Sequence, residues 1–144
     1  MRVADILKGK RTAVMTVKPS ESIGGFAQRL RLGGVGAMVV SRDGNSIDGI
    51  ISERDVTYAL PAHTEDLHEM HVSDIMTANV ITCSPNDTIA DVMKIMTHRR
   101  IRHLPVREGG RLVGMISVGD VLKHRLSEIE LEANVLRDIA LAGR

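Results

Sequence analysis

The sequence predicts an α/β chain (α+β by some schemes) built from two tandem β-α-β-β-α repeats with pseudo-two-fold symmetry, followed by a long C-terminal helix. One observation is a motif written twice, GIISERDV at residues 49–56 and GMISVGDV at residues 114–121. A second is that apolar residues in each half change between strand and helix spacing. With 144 residues, the chain is long enough for one domain or for two small ones that share a core.

The repetition extends well beyond the two motifs. Four residues recur 66 positions later, Val14, Pro19, Ile23 and Val40 becoming Val80, Pro85, Ile89 and Val106. The motif recurs after 65 positions, and VADIL at residues 3–7 is echoed by VSDIM at residues 72–76 after 69. Because the changes in spacing fall between the matching blocks, they are typical of loops. We therefore predict repeat 1 at residues 1–66, repeat 2 at residues 67–126 and a helical extension at residues 127–144.

Both repeats contain the same order of predicted elements. In repeat 2, VITC at residues 80–83 predicts a strand, and a helix follows Pro85 with its apolar residues at helical spacing. Two more strands, residues 103–106 and 112–117, are joined at Gly109-Gly110, which is a hairpin signal. Repeat 1 has a strand around residues 14–17, a helix from Ser22, two strands joined at Asp43-Gly44 and a helix from Ser52.

The Ser-x-x-Asp core of the repeated motif supports two interpretations. Ser52 with Asp55, and Ser117 with Asp120, stand at predicted helix starts, where this pattern forms a capping box. The same residues, repeated at matching positions, also suit the two halves of a ligand site. A helix start with a hydroxyl and free N–H groups also suits a phosphate. The two interpretations are compatible, since one Ser can serve both purposes.

Composition disfavours several classes of partner. Nineteen basic and eighteen acidic residues leave a net charge of +1, which does not favour nucleic acid or an anionic membrane. Phe26 and Tyr58 are the only aromatic residues, whereas single-stranded nucleic acid is usually held by stacked aromatics. No apolar run approaches the ~20 residues of a membrane helix, and the first residues lack the apolar segment of a signal peptide. With its single cysteine, Cys83, the chain is predicted to be cytoplasmic.

Other patterns in the sequence predict no site. GGVGAM at residues 33–38 departs from the dinucleotide-binding pattern and precedes a strand. HEMH at residues 68–71 matches no standard metal-ligand spacing, so no metal is predicted. Cys83 is interpreted as a strand residue, and Arg99 and Arg100 as a solvated helix end whose charges complement the helix dipole.

The repeated G-h-h-S-x-x-D motif (h, apolar), the β-α-β-β-α order and RHLPV at residues 102–106 resemble the CBS domain. Two copies in tandem resemble a Bateman module, and the similarity spans about residues 1–125. The resemblance implies a regulatory, non-enzymatic sensor that binds AMP, ADP or ATP, with NAD and S-adenosylmethionine as further candidates, and that acts on another protein. Because a fold alone does not establish binding, a ligand-free dimerisation scaffold and a nucleic-acid-binding regulator stay open as alternatives.

The resemblance also implies two sites, each joining an adenine slot of one repeat to ribose and phosphate contacts of the other. Site one comprises Thr12, Ala13, Val14, Val35, Gly36 and Ala37 with Ser117, Asp120, Arg102 and His103. Site two comprises Ala78, Asn79, Val80 and Ile101 with Ser52, Arg54 and Asp55. In both sites the Asp is assigned to the ribose, and the Ser and the cations are assigned to the phosphate. No residue is assigned a catalytic role, and no catalytic cofactor is predicted.

The helical pattern continues well beyond Asp120. Apolar residues follow at spacings of 4, 3, 4, 3 and 4: Leu122, Leu126, Ile129, Ala133, Leu136 and Ala140. A second apolar edge contains Leu131, Val135 and Ile139. The pattern predicts a helix of ~37 Å from Ser117 to Leu141. It either folds onto its own repeat or forms a homodimer contact, and the two apolar edges favour the homodimer.

Overall fold

The computed structural model of the protein describes residues 1–10 and 14–143. The first half contains α1 (Val3–Gly9), β1 (Thr16–Val17), α2 (Ile23–Gly33), β2 (Ala37–Val40), β3 (Gly49–Ser52) and α3 (Glu53–Ala59). Two 3₁₀ turns follow, Leu60–Ala62 and Leu67–Glu69. The second half contains α4 (Val72–Ile75), α5 (Ile89–Arg99), β4 (His103–Glu108), β5 (Arg111–Ser117) and α6 (Val118–Ala142). The tandem repeat and the long C-terminal helix predicted from the sequence are confirmed.

Each half is built on an antiparallel strand pair that ends at the Ser of the repeated motif. β2 pairs with β3, with Ala37 beside Ser52, and β4 pairs with β5, with His103 beside Ser117. In the first half, β1 adds a short parallel strand on the other side of β2. Both motif serines therefore lie at the end of a strand, directly before a helix begins.

The strand predicted at residues 80–83 is wrong as a strand, because only Cys83 pairs, in a single parallel bridge to Val106. The Cys83 N–H donates to the Pro105 oxygen at 3.0 Å, and the Arg107 N–H donates to the Cys83 oxygen at 2.8 Å. The next bond of a parallel ladder would need an N–H at residue 105, which proline lacks. Val39, which corresponds to Pro105 in the repeat, allows β1 to pair over two residues.

The two halves exchange their first helices. The Val3 N–H of α1 donates to the Asp87 oxygen at 2.9 Å, and the equivalent Val72 N–H of α4 donates to the Glu21 oxygen at 2.8 Å. Val3 is buried in the core of the second half and Val72 in that of the first, and neither side chain is exposed. Burial of a valine contributes about 1.5–3 kcal/mol, so this exchange stabilises the pair of halves. The predicted domain boundaries stay predictions.

The glycine that opens each motif lies under the exchanged helix. A Cβ atom at Gly114 would lie 2.6 Å from Leu7 Cδ2, and a Cβ atom at Gly49 would lie 2.6 Å from Met76 Sδ. Leu7 and Met76 are themselves related by the repeat of VADIL and VSDIM. A side chain at either glycine would therefore meet a residue of the exchanged segment, Leu7 in α1 or Met76 directly after α4.

Helix α6 begins against its own half and then leaves it. Ser117 caps its first turn by accepting a hydrogen bond from the Asp120 N–H, and Val121 is buried in the core of the second half. Every residue from 129 to 143 is exposed. The helix therefore folds onto its own repeat at its first turns only.

Candidate ligand-binding clefts

Two clefts lie between the halves, and each contains one of the repeated aspartates. We call them the Asp55 cleft and the Asp120 cleft, with cavity volumes of about 420 Å³ and about 570 Å³. The Asp55 cleft is lined by Gly36, Ala37, Ile50, Ser52, Glu53, Arg54, Asp55, Thr77, Asn79, Val80, Ile81, Arg100, Ile101, Arg102 and His103. The Asp120 cleft is lined by Leu7, Lys10, Val14, Met15, Gly33, Gly34, Val35, Gly36, Ala37, His103, Val113, Gly114, Met115, Ser117 and Asp120.

In both clefts the capping box holds the aspartate in place. The Ser52 N–H donates to Asp55 Oδ2 at 2.8 Å, and the Ser117 N–H donates to Asp120 Oδ2 at 2.9 Å. Asp55 Oδ1 accepts no hydrogen bond from any residue in the described part of the chain. The capping interpretation of the motif is thus confirmed for both copies, while one oxygen of Asp55 keeps its lone pairs for another donor.

The aspartate of the Asp120 cleft has a cation bound to it. Lys10 Nζ lies 2.7 Å from Asp120 Oδ2 and also donates to the Met115 oxygen at 2.8 Å. Burial raises the pKa of Asp120, but the hydrogen bond and charge of Lys10, with the bonds from Ser117, outweigh burial and lower it below its usual value. The carboxylate is therefore held ionised and already partnered.

Three arginines, Arg54, Arg100 and Arg102, line the Asp55 cleft. Within residues 1–10 and 14–143 none of the three forms an ion pair. The sequence placed Arg102 with Asp120, but the structure places it in the other cleft. Arg102 and His103 both line the Asp55 cleft, and only His103 also lines the Asp120 cleft.

Arg100 stands in a backbone conformation that usually belongs to glycine. It ends α5 with φ at 54°, and Gly34 ends α2 in the first half with φ at 62°. A side chain in this left-handed region costs about 1–2 kcal/mol. The first half avoids that strain with glycine, whereas the second half has an arginine at this position, and that residue lines the Asp55 cleft. The interpretation of Arg100 as only a solvated helix end is therefore incomplete.

His103 lines both clefts and forms part of the wall between them. Burial is the main reason that its pKa lies below the usual value, and Lys10 and Arg102 act in the same direction. The charges of Asp120 and Glu53 oppose this shift. A negative charge that enters either cleft therefore acts on the same imidazole.

The structure brings together most of the other predicted site residues. Val14, Val35, Gly36 and Ala37 lie with Ser117 and Asp120, as predicted for site one, and Gly36 and Ala37 also reach the Asp55 cleft. Asn79, Val80 and Ile101 lie with Ser52, Arg54 and Asp55, as predicted for site two. Ala78 is absent from both linings. Thr12 and Ala13 lie outside the described residues.

The sequence missed Lys10 and the role of Arg100 in a cleft. The repeat could have identified Lys10 as a site residue. The predicted site residue Asn79 lies 69 positions after Lys10, and the same interval relates VADIL to VSDIM. The repeat could also have identified Arg100, because it aligns this residue with Gly34, at a helix end where glycine is preferred.

Three other predictions concern metals, membranes and the cysteine. Among the described residues no group of three or more acidic, His or Cys side chains is placed to hold a metal ion. No helix of residues 1–10 and 14–143 combines the length and apolar character needed to cross a membrane. Cys83 is buried, and burial together with the charge of Asp87 raises its pKa to about 11. Its thiol therefore stays protonated at neutral pH.

Fold and clefts together define a protein with two intertwined halves, each built on an antiparallel strand pair that leads into a helix, and with a Ser–Asp corner in each of the two clefts between the halves. The family model of the CBS domain matches residues 3–62 and again residues 72–127. The chain belongs to the CBS domain family, and it carries two copies of the domain in tandem.

Three relatives illustrate the range of similarity. The crystal structure of a CBS-domain containing protein from Agrobacterium tumefaciens is 42% identical, with a TM-score of 0.83, and covers 87% of this chain and 99% of its own. A Methanopyrus kandleri protein is 30% identical over 124 residues, which are 85% of this chain and 63% of the relative's length. A CBS domain pair in complex with 5′-methylthioadenosine and S-adenosyl-L-methionine is 24% identical, with a TM-score of 0.75, over 85% of this chain and 98% of its own. This last likeness shows the fold alone.

Proposed function

We propose that the protein is a regulatory module that binds a phosphate-bearing adenine nucleotide in the Asp55 cleft. The observation that carries the proposal is that Asp55 and three arginines, Arg54, Arg100 and Arg102, line one cleft between the halves. The related CBS domain pair that holds two adenosyl ligands supports the adenosyl part of the proposal. The phosphate part rests on this chain's own arginines.

Each portion of a nucleotide has a matching group in the Asp55 cleft. Asp55 Oδ1 is available to ribose hydroxyls, because the capping bonds from Ser52 use Oδ2. The apolar side chains that fit an adenine ring are Ile50, Val80, Ile81 and Ile101. The cavity of about 420 Å³ falls within the usual range for small-molecule sites.

The guanidinium groups decide which adenosyl ligands fit best. The cleft carries Arg54, Arg100 and Arg102 against two carboxylates, those of Glu53 and Asp55. Guanidinium groups bind phosphate oxygens in a two-bond geometry that an uncharged 5′ substituent cannot use. AMP, ADP and ATP are therefore the favoured ligands, with NAD as the next candidate. S-adenosylmethionine, whose sulfonium is cationic, is disfavoured in this cleft.

The Asp120 cleft is proposed as the weaker site. Asp120 is already paired with Lys10, so the hydroxyls of a ribose that bind Asp120 have to compete with this ion pair. Among the described residues, the lining of this cleft includes one lysine and no arginine. We expect it to stay empty at nucleotide concentrations that fill the Asp55 cleft.

The proposed role is regulatory because a ligand in the Asp55 cleft contacts both halves at once. The Ser52–Asp55 corner belongs to the first half, and Asn79, Ile101 and Arg102 belong to the second. A ligand that bridges them favours one packing of the halves over others, and a partner protein that distinguishes these packings is thereby coupled to the ligand. A cytoplasmic setting remains part of the proposal, since the one cysteine calls for no disulfide.

The test is thermal unfolding of the full chain with adenosine, AMP, ADP, ATP, NAD, 5′-methylthioadenosine and S-adenosylmethionine. A ligand at one hundred times its Kd should raise Tm by roughly 5–10 °C. AMP should stabilise more than adenosine, because only AMP reaches the arginines with a phosphate. If none of the seven ligands raises Tm, the proposal is contradicted, and the ligand-free dimerisation scaffold becomes the favoured function.

A matched pair of variants separates ligand binding from helix capping. Asp74 accepts a capping bond from the His71 N–H at 2.9 Å, as Asp55 does from Ser52, but Asp74 lines neither cleft. Asp55→Asn and Asp74→Asn each remove a negative charge from the first turn of a helix, so they should lose similar stability, about 0.3–1 kcal/mol. Only Asp55→Asn should lose the response to AMP. Asp120→Asn should keep it, and loss of the response in Asp120→Asn alone would assign the nucleotide to the other cleft.

A further inference from the structure

Helix α6 carries an apolar stripe that its own module leaves uncovered. The stripe consists of Leu122, Leu126, Ile129, Ala133, Leu136 and Ala140. Leu122, Leu126 and Ile129 are 55%, 60% and 47% exposed, although they lie on the part of the helix nearest the module. The side that faces the module is marked by buried Val121 and by His124, whose side chain is 12% exposed. At 100° per residue, this side lies more than 90° around the helix from the stripe.

The spacing of the stripe fits a coiled coil. Steps of 4 and 3 residues repeat every seven, which keeps an apolar seam on one side of a slightly supercoiled helix. Six layers span about 27 Å of helix. Ala133 and Ala140, at the same heptad position, allow two helices to approach closely.

Charged residues on both sides of the stripe specify the orientation of a partner. Leu126, Ala133 and Ala140 occupy position a of the heptad. In a parallel pair, the residue just before position a lies near the residue five positions later on the other helix. Arg125 then meets Glu130 of the second copy, and Glu132 meets Arg137 of the second copy. Two-fold symmetry doubles both pairs, so the flanks carry four attractive contacts.

The antiparallel alternative brings like charges together. If all six layers overlap in that orientation, Glu130 meets its own copy and Glu132 meets its own copy. Lys123 also meets Arg137. We propose that two copies of this chain associate through α6 as a parallel, in-register coiled coil. This inference rests on α6 alone and is independent of the proposed nucleotide.

A charge exchange tests the orientation. Glu132 and Arg137 are the best pair, because neither forms an ion pair among the described residues, whereas Arg125 already contacts Glu128 at 3.0 Å. Glu132→Arg alone and Arg137→Glu alone should each weaken self-association about 3- to 30-fold, measured by sedimentation equilibrium. An equimolar mixture of the two variants should associate as tightly as the unchanged protein. Equal weakness of the mixture, or a monomeric unchanged protein, overturns the proposal.

A cysteine cross-link tests the register. In the parallel pair, Ala140→Cys places two thiols in one layer, within the ~7 Å that a disulfide allows between Cα atoms. In the fully overlapped antiparallel pair the same positions lie about 27 Å apart. Oxidation should give a covalent dimer of the Ala140→Cys variant and none of the unchanged protein, in which Cys83 is buried. Cross-linking only between mixed Leu122→Cys and Ala140→Cys chains would establish the antiparallel arrangement instead.

Two leucines on opposite sides of α6 provide a matched control. Leu136 lies in the stripe and is 66% exposed, and Leu131 lies on the opposite side and is 64% exposed. Both stand beyond the module, so neither substitution should unfold it, and unchanged Tm of the module is the check. Leu136→Lys should abolish self-association and Leu131→Lys should leave it intact. The reverse result would assign the contact to the other edge and overturn the proposal.

Discussion

Lys10 Nζ donates to Asp120 Oδ2 at 2.7 Å, joining the residue that follows α1 to the first turn of α6 across 110 positions of the chain. The ion pair crosses between the exchanged α1 segment and the motif of the second half. Lys10 is about one-third exposed and Asp120 about one-fifth, so solvent screens the pair only in part. This contact therefore links the end of an exchanged helix to one of the two clefts.

Replacement of Lys10 should change stability in a pH-dependent way. The pKa of Asp120 is lowered in the folded protein, so its stabilising contribution is present above the unfolded value of about 3.9 and is lost as the pH falls through the folded value. Lys10→Met should reduce the free energy of unfolding at pH 7 by about 0.5–1 kcal/mol. The difference from the unchanged protein should vanish at the acid end of a urea-denaturation series.

Lys8→Met is the control for Lys10→Met. Lys8 is exposed in the last turn of α1 and forms no ion pair with the described residues. It should leave the pH profile unchanged. If Lys10→Met also leaves the profile unchanged, the ion pair with Asp120 contributes nothing in solution.

The two motif glycines should respond differently to alanine. At Gly49 a new Cβ would lie 2.6 Å from Met76 Sδ and 3.0 Å from the backbone oxygen of Thr77, which cannot move easily. Gly49→Ala should therefore destabilise by about 1–3 kcal/mol. At Gly114 the close atoms belong to the flexible end of Leu7. Gly114→Ala should thus destabilise less, as measured by chemical denaturation.

A double-mutant cycle checks the cause at Gly114. Leu7→Ala removes the atoms that a Cβ at Gly114 would meet. In that background Gly114→Ala should become neutral or stabilising, since alanine is preferred to glycine inside a strand by about 0.5–1 kcal/mol. Additive effects in the cycle would show that Leu7 is not the obstacle.

The sequence predicts local features of this protein better than the assignment of residues to clefts. The Ser–Asp corners were predictable because the same motif occurs twice and a capping box is local. That residues 80–83 form no ladder was also predictable from Pro105, because proline has no N–H to donate to a neighbouring strand. The contact of Lys10 with Asp120 spans 110 positions and depends on the exchange of α1, which the repeat pattern does not reveal. Which cleft receives Arg102 depends on the direction of one side chain, and this the motif leaves open.

His103 should make the protein less stable at mildly acidic pH. Its pKa is lowered in the folded state, mainly by burial, so below about pH 6.5 the unfolded chain binds a proton that the folded chain does not. The free energy of unfolding should therefore fall as the pH decreases from about 6.5, until His103 protonates in the folded state. His103→Gln should flatten this part of the profile.

The measurement for His103 is a denaturation series between pH 5 and pH 8. His98→Gln is the matched control, because His98 is exposed on α5 and lines neither cleft. That control should retain the decline below about pH 6.5. An unchanged decline in His103→Gln would show that other groups cause it.

Arg100 should lower the stability of the folded protein and raise its affinity for AMP. Its left-handed backbone at φ 54° is strained for any side chain, and Arg100→Gly removes that strain at the cost of a more flexible unfolded chain. The variant should gain roughly 0.5–1 kcal/mol in unfolding free energy. It should also bind AMP about 3- to 10-fold more weakly, while adenosine binding stays the same, because only the phosphate uses the guanidinium.

Two further variants separate the charge of Arg100 from its backbone conformation. Arg100→Lys keeps both the charge and the strained backbone but loses the two-bond geometry of the guanidinium, so it should keep part of the AMP affinity and gain no stability. Arg99→Ala, at an exposed helical position outside both clefts, should change neither quantity by more than about 0.5 kcal/mol. Calorimetric titration with AMP and adenosine, together with urea denaturation, gives both quantities for each variant. If the Arg100→Gly variant is stable and its AMP affinity is unchanged, Arg100 does not contact the phosphate. Arg54 and Arg102 would then be the remaining candidates for that contact.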